Sequence, residues 1–432
     1  MYPPINAIGT ARVVSFVRHL PKKGWEPYVV SVRPSAWVPS DGEAPADESA
    51  AAVCRTAGFD LSRAIPRLLG NAFRAGGVTR MRAARAGGFS PLRAGMALYD
   101  GLLAFPDSAW PWAVLGRRQA IRFARSIQPD VILSSSAPFS SHLLASSVQK
   151  ALGVPWVADF RDLWSGNPLI EQSPWLQRMR EVVEARVVRR ASALCTVSEP
   201  LAEYLRLVHR KPVFVVSNGF EPDCQSEPLP LFERFTILFT GMLYPGKIDP
   251  RDLFEAVRDL REGRRLPGGL RVVFYGPDHD RTEEMARESG VADLVECHGP
   301  VPQAEAVRLQ RRAHLLLVIN WNTPGSGGGF PGKFFEYLAS TRPILAIGKK
   351  GGAMDLVLRE TGMGVVVSSV ADIQDVIVRT YKAFAEGNSP TPGRIPGEIA
   401  KYTRENQAGI LACELASIAS GPGLLPKRRP AA

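Results

Sequence analysis

Residues 320–342 read N-W-N-T-P-G-S-G-G-G-F-P-G-K-F-F-E-Y-L-A-S-T-R, and the fold follows from how that stretch is punctuated. It comes after Leu315 to Ile319, a short bounded run of Leu, Val and Ile that reads as a buried strand. Gly325, Gly327, Gly328 and Gly329 then form a loop whose backbone can approach a ligand closely. Pro331 suits the first turn of a helix expected over Gly332 to Ser340. Free N–H groups and the helix dipole at that end attract an anion such as a phosphate, and Lys333 adds a full charge. Glu336, three residues on, is placed to accept two ribose hydroxyls. One element therefore carries groups for both parts of a nucleotide diphosphate. The same residues also fit ordinary α/β punctuation with a solvated Lys–Glu pair, and local pattern alone leaves both readings open.

Working outward, 432 residues exceed what one core usually supports, so two domains are expected. The chain is 45% hydrophobic and 22% charged, which fits a globular, soluble class. It holds no apolar run of membrane-spanning length and no signal-peptide layout at its start, which sets an expectation of a cytoplasmic protein. Cys54, Cys195, Cys224, Cys297 and Cys413 are scattered without a C-x-x-C pair and read as reduced core residues. A formal charge of +11 favours an anionic partner: nucleic acid, nucleotide or membrane surface.

The chain opens with a loop containing Gly9, then a helix over about Thr10 to Lys22 with Val13, Phe16, Val17 and Leu20 on one face, then a strand Tyr28 to Val32. No strand precedes Tyr2 to hold the Gly9 loop at its carboxyl end, so the first strand of a Rossmann-like sheet is expected to be missing here. Residues 61–93 are Arg-rich, and Arg63, Arg67 and Arg74 lie off the apolar face of a helical pattern. Such a segment suits an anionic membrane surface or a solvated face; nucleic acid is disfavoured because no binding motif accompanies it. From Pro129 onward short apolar runs alternate with helical patterns in two successive sets, which implies parallel sheets covered by helices. The run Trp156 to Phe160 ends in Arg161-Asp162, at the strand end where such sheets bind ligands; a salt bridge of Arg161 to Asp159 or Asp162 is the structural alternative.

The segments Phe330-Pro-Gly-Lys-Phe-Phe-Glu-Tyr-Leu-Ala, Ala158-Asp-Phe-Arg-Asp-Leu-Trp164 and Phe105-Pro-Asp-Ser-Ala-Trp110 resemble the family-4-type glycosyltransferases, in the branch with a P-x-K-x-F-E-Y donor-site pattern. The resemblance implies an α/β GT-B architecture, two Rossmann-like domains with parallel sheets facing a central cleft and a C-terminal helix returning to the first. Boundaries are expected at 1–212, 213–390, 391–420 for the returning helix and 421–432 for a disordered basic tail. It implies a retaining transfer of a sugar from a nucleotide-diphosphate sugar to a lipid-linked or polysaccharide acceptor, without a metal cofactor, in a cytoplasmic protein peripheral to the membrane. Family members carry two glutamates at this site; Glu336 matches the second, and Gly328 stands at the first. In the segment Gly241-Met-Leu-Tyr-Pro-Gly-Lys247 the family's Arg is replaced by Met242, leaving Lys247 and Lys333 to meet the diphosphate.

The donor set implied is Gly9, Gly241, Lys247, Gly328, Gly329, Phe330, Pro331, Lys333, Glu336 and Val301, the last in the loop His298 to Pro302 that meets the base. Lys247, Arg161 and Asp162 are the catalytic candidates, and no metal site is expected. Asp278-His-Asp280 imitates a metal-binding acid-x-acid motif but follows a strand end of the GT-B pattern. Rival expectations are a catalytically weak membrane-associated scaffold of the same fold, supported by Gly328, Met242 and the missing first strand, and less strongly a sugar-nucleotide epimerase.

Overall fold

A computed structural model describes residues 2–3, 9–34, 51–61, 105–167, 173–221, 229–243, 248–265, 269–320, 328–387 and 393–421. The chain forms two compact units: Met1–Val197 with Leu201–Val216 and Ala408–Ala432, and Ser198–Pro200 with Ser217–Gln407.

In the first unit the order is α1 (Thr10–His19), β1 (Tyr28–Val32), β2 (Ala52–Thr56), α2 (Trp110–Leu115), α3 (Arg117–Ile127), β3 (Ile132–Ser136) and α4 (Ser140–Leu152). Then come β4 (Trp156–Phe160), α5 (Pro174–Val188), β5 (Ala193–Thr196), α6 (Glu199–His209) and β6 (Val213–Val215). β3, β4, β5 and β6 form a parallel sheet in that order, while β1 and β2 form a separate parallel pair. Among the described residues no strand joins β1 to β3, yet Val32 and Ile132 share one apolar cluster with Trp112, Ala120, Ala124, Leu144 and Val148. Tyr2 and Pro3 lie outside any strand; Tyr2 is buried against Val17 and Val29, and the Arg55 guanidinium donates to the Tyr2 and Pro3 carbonyls. On the other face Phe16 and Leu20 of α1 pack on Val157, Cys195 and Val216.

The second unit runs β7 (Thr236–Thr240), α7 (Arg251–Glu262), β8 (Arg271–Tyr275), α8 (His279–Glu288), β9 (Val295–His298), α9 (Gln303–Arg312), β10 (Leu315–Ile319) and α10 (Phe334–Ser340). It closes with β11 (Ile344–Ile347), α11 (Ala353–Thr361), β12 (Gly364–Val367), α12 (Val370–Ala385) and α13 (Pro396–Ala400); α14 (Arg404–Ser420) follows and belongs to the first unit from Ala408 on. All six strands are parallel, in the order β12-β11-β10-β7-β8-β9. Successive residues of β10 face opposite sides: Leu315, Leu317 and Ile319 join a core under α7 and α12, and Leu316 and Val318 join one under α10 and α11. Both sides being covered, the strand is an unbroken apolar run, as helix-covered parallel sheets require.

Three boundaries differ from the sequence expectation. α1 stops at His19 rather than Lys22 because Pro21 has no N–H to continue the ladder; a short turn follows, with Gly24 at φ 82°. The returning helix expected within 391–420 is two helices. Residues 401–403 leave helical geometry so that Phe220 and Arg404 can exchange backbone hydrogen bonds with their neighbours, Phe220 N–H to Tyr402 O at 3.1 Å and Arg404 N–H to Phe220 O at 2.9 Å. Thr403 Oγ1 then accepts the Asn406 N–H, a cap that restarts the chain as α14. The third is α10, which starts at Phe334 instead of Gly332, with Pro331 before it and its carbonyl accepting the Phe334 N–H at 3.0 Å.

Candidate functional site

In the second unit the chain proceeds from β7 outward to β9, then crosses back so that β10 lies on the other side of β7. The reversal leaves a crevice at the carboxyl ends of β7 and β10, the place where open parallel sheets take ligands. Gly241 follows β7 with φ 130°, a conformation reserved for glycine. The loops after β7, β8 and β9 are tied by backbone: Gly241 N–H donates to Tyr275 O at 2.8 Å and Gly276 N–H to His298 O at 3.0 Å. A Cβ on Gly276 would lie 2.0 Å from the Gly241 carbonyl oxygen, so only glycine fits between them.

Lys333 reaches this crevice. Its Nζ lies 3.1 Å from the centroid of the buried Phe239 ring and 2.9 Å from where a Cβ on Gly241 would be. Burial lowers its pKa well below the ordinary lysine value, and the Glu336 charge opposes that shift only in part. Among the described residues Lys333 has neither a hydrogen-bond acceptor nor a carboxylate within ion-pair distance. The solvated Lys333–Glu336 pair is therefore not formed. Glu336 instead accepts from side-chain amides of α9: Gln303 Nε2 to Oε1 at 2.8 Å and Gln310 Nε2 to Oε2 at 3.3 Å. Gln310 Nε2 also donates to Thr240 Oγ1 at 3.0 Å, and the Tyr337 hydroxyl accepts the Thr240 N–H at 3.0 Å. Burial pushes the Tyr337 phenol up, so it stays neutral.

The remaining donor candidates are distributed unevenly. The Gly328 carbonyl accepts from the Ser198 hydroxyl, whereas Gly329 and Gly332 have nothing within 4 Å of a Cβ position and so border open space. Phe330 is a packing residue: its ring stacks on Phe334 with centroids 5.4 Å apart and meets Phe335 at 5.0 Å. Val301 is half-buried against the same cluster. Beside it Tyr275 and His298 stack at 4.7 Å, an aromatic pair at the ends of β8 and β9. Lys247 lies outside the described residues, as do Arg63, Arg67 and Arg74. After Gly241, Leu243 donates its N–H to Asp278 Oδ2 at 3.1 Å. His279 of the acid-x-acid segment pairs with Asp280 at 3.3 Å, and no group of three or more His, Cys, Asp or Glu among the described residues is arranged to hold a metal. The seven-residue α10 is too short for its dipole to matter much, so the anion attraction argued from a longer helix falls mainly to Lys333.

In the first unit the alternative salt bridge of Arg161 to Asp159 or Asp162 is not formed among the described residues. Asp159 pairs with Arg12 of α1, Nε to Oδ2 at 3.0 Å and Nη2 to Oδ1 at 2.9 Å, and accepts from Ser135 Oγ at 2.7 Å. Burial alone would raise the Asp159 carboxyl, but Arg12 and Ser135 hold it below the ordinary range. Arg161 turns to the carboxyl end of β3, donating from Nε to Ser136 O and from Nη2 to Ala137 O at 3.2 Å. Its guanidinium fills the space beside Gly9, where a Cβ would come within 2.3 Å of Cζ, so Gly9 makes room for Arg161. Asp162 is exposed next to it. Gln303, Gln310, Tyr275 and Arg12 were missed in the sequence. The two glutamines stand seven apart on one helical face, which was a visible signal; the others share no motif.

Residues 9–219 match the family model described as glycosyl transferase 4-like domain, and residues 234–383 match that of glycosyl transferases group 1. A glycosyltransferase from Rickettsia africae is similar in structure, with TM-score 0.63 and 10% identity over 98% of this chain and 97% of its own. Sucrose-phosphate synthase from Thermosynechococcus elongatus superposes with TM-score 0.58 and 15% identity over 94% of this chain and 92% of its own. The Anabaena protein HepE, solved in complex with UDP and glucose, gives TM-score 0.53 and 11% identity over 90% of this chain and 99% of its own. Comparison with curated protein sequences gives no match.

Proposed function

We propose a donor, a mechanism and an acceptor side on the premise that the chain belongs to the glycosyl transferases, a 4-like domain followed by a group 1 domain on the GT-B fold. The donor is a nucleotide-diphosphate sugar held by the second unit. The observation that carries this reading is that residues 328–340 set a lysine without an anionic partner among the described residues three positions before a carboxylate with two fixed oxygens, both at the sheet's switch point. Glu336 accepts the ribose hydroxyls, the Tyr275–His298 side of the crevice faces the base, and Lys333 with Lys247 meets the diphosphate.

The transfer is retaining. The bond from the anomeric carbon to the phosphate oxygen breaks, its electron pair leaving with the nucleotide diphosphate, while the acceptor oxygen bonds to the same face and its proton passes to the departing phosphate. An ammonium aimed at that oxygen lowers the barrier because negative charge grows there, and no metal ion is needed for it. Arg161 and Asp162, at the carboxyl end of β4, are assigned to the acceptor.

The acceptor is lipid-linked or a polysaccharide, and the protein is cytoplasmic and peripheral to a membrane. Helix α5 supports the peripheral reading. Trp175, Met179 and Val182, 53%, 42% and 59% exposed, recur at helical spacing opposite buried Glu184 and Val188, with Arg178, Arg186, Arg189 and Arg190 exposed around them. Binding should be screened first by thermal shift with UDP and UDP-sugars, then with other nucleotide sugars; a donor at a hundred times its Kd stabilises by about 2.7 kcal/mol. Absence of any shift across the panel would overturn the donor reading. Equal partitioning of wild type and a Trp175→Ser/Val182→Ser variant onto anionic vesicles would overturn the peripheral one.

A further inference from the structure

We propose that Gln310, assisted by Gln303, is a positioning residue that fixes the Glu336 carboxylate toward the ribose diol and so sets discrimination between ribo- and 2′-deoxyribonucleotides; this rests on the donor reading above. A glutamate side chain has three rotatable bonds and, half-exposed at the end of a short helix, would sample several rotamers. Here each carboxylate oxygen is taken by an amide N–H from a different turn of α9, so the carboxylate plane is set before any ligand arrives. Prepaid ordering of this kind appears as affinity, and it falls on the part of the ligand that Glu336 reads.

The inner glutamine bears a cost that packing alone does not explain. Gln310 is fully buried, both of its described hydrogen bonds leave from Nε2, and its Oε1 is buried without a donor. Turning the amide over would offer that oxygen a place beside Thr240, but would set it against the Glu336 carboxylate and leave Glu336 Oε2 without its donor. A leucine or methionine would fill the same space with no orphaned acceptor, so a core chosen for stability alone would not carry an amide here. Thr240 links the glutamine to the end of β7, and Tyr337, next to Glu336 on α10, holds the Thr240 N–H; the carboxylate is thus referenced to the sheet rather than to its own short helix.

The test uses the full chain and whichever of UDP, GDP and ADP binds tightest, with its 2′-deoxy counterpart, measured by calorimetry. Gln310→Met should keep or raise Tm, weaken the ribonucleotide roughly fivefold to tenfold and affect the 2′-deoxy form less, narrowing the ratio between them. Gln310→Glu places a second carboxylate against Glu336, so its binding should recover as pH falls and one proton restores a donor. A methionine variant that loses Tm and keeps the wild-type ratio would make Gln310 a packing residue and overturn the proposal. Glu336→Ala separates the two layers: if it binds as wild type does, or if no nucleotide binds, the donor reading fails; if it weakens binding and Gln310→Met does not, only the positioning role fails.

Discussion

Nucleotide-sugar binding by this protein should take up a proton, and the sign follows from Lys333. Burial against Phe239 lowers its pKa in the free protein, with Glu336 as the described charge that opposes the shift and the Tyr337 phenol neutral alongside. An incoming diphosphate stabilises the ammonium and raises that pKa again. At pH values between the free and bound pKa, binding drags a proton onto Lys333; affinity is highest on the acid side and falls as pH rises, by at most about tenfold or 1.4 kcal/mol per pH unit. A UDP-sugar is the right probe, since its diphosphate has no monoester group titrating near neutrality. Isothermal titration in two buffers of different ionisation enthalpy counts the proton, and Kd across the pH range gives the slope. Lys333→Met should bind more weakly with no slope from this source. It should also be more stable than wild type where the unfolded lysine holds a proton that the folded one has lost, a gap that closes as pH rises toward the ordinary value. A pH-independent wild-type Kd, or a methionine variant that keeps the wild-type slope, would refute the reasoning.

Other outcomes follow from the same geometry. Glu336→Ala should lose about 1.5–3 kcal/mol of donor affinity with the fold intact by circular dichroism. Gly276→Ala forces a Cβ to within 2.0 Å of the Gly241 carbonyl oxygen, so donor binding should fall and stability should drop by about 1–3 kcal/mol in denaturant titration. Arg12→Met leaves Asp159 charged and buried and should cost about 3–5 kcal/mol, much of it recovered by adding Asp159→Leu. That ion pair's contribution is present above the unfolded carboxyl pKa and lost as pH falls through the lower folded one, so wild type and double mutant should converge in acid. Donor binding and turnover should survive exhaustive chelation; loss of either would show that Lys333 and Lys247 do not suffice.

The parallel sheets were legible because their central strands are buried on both faces: Leu315 to Ile319 reads as an unbroken apolar run, and Trp156 to Phe160 as one interrupted only by Asp159. Helix ends were less legible: Pro21 and Thr403 act through one missing or one capping hydrogen bond, which periodicity does not register. At the site, the sequence pointed to Lys333 and Glu336 because they share one short motif. Their partners did not emerge, because Gln310 and Thr240 lie 26 and 97 residues from Glu336 and Tyr337 along the chain and meet them only through the sheet. For Arg161 the sequence offered Asp159 or Asp162 as alternative salt-bridge partners because both are neighbours along the chain, while the buried partner of Asp159 came from 147 residues away.

Ala408, Leu411, Ala412 and Leu415 of α14 complete the apolar cluster on Phe16, Leu20, Val157 and Cys195, so the first unit is closed by residues synthesised after the second unit. At about 5–20 residues per second, the roughly 200 residues between Val216 and the end of α14 keep that face bare for about 10–40 s of synthesis. During this interval α1 is held on its polar side by Arg12, which donates to Asp159 and the Val216 carbonyl, while its neighbouring apolar surface is open to any chaperone or nascent neighbour. A ribosome stalled anywhere in the second unit would therefore release a first unit that is sticky rather than merely unfinished.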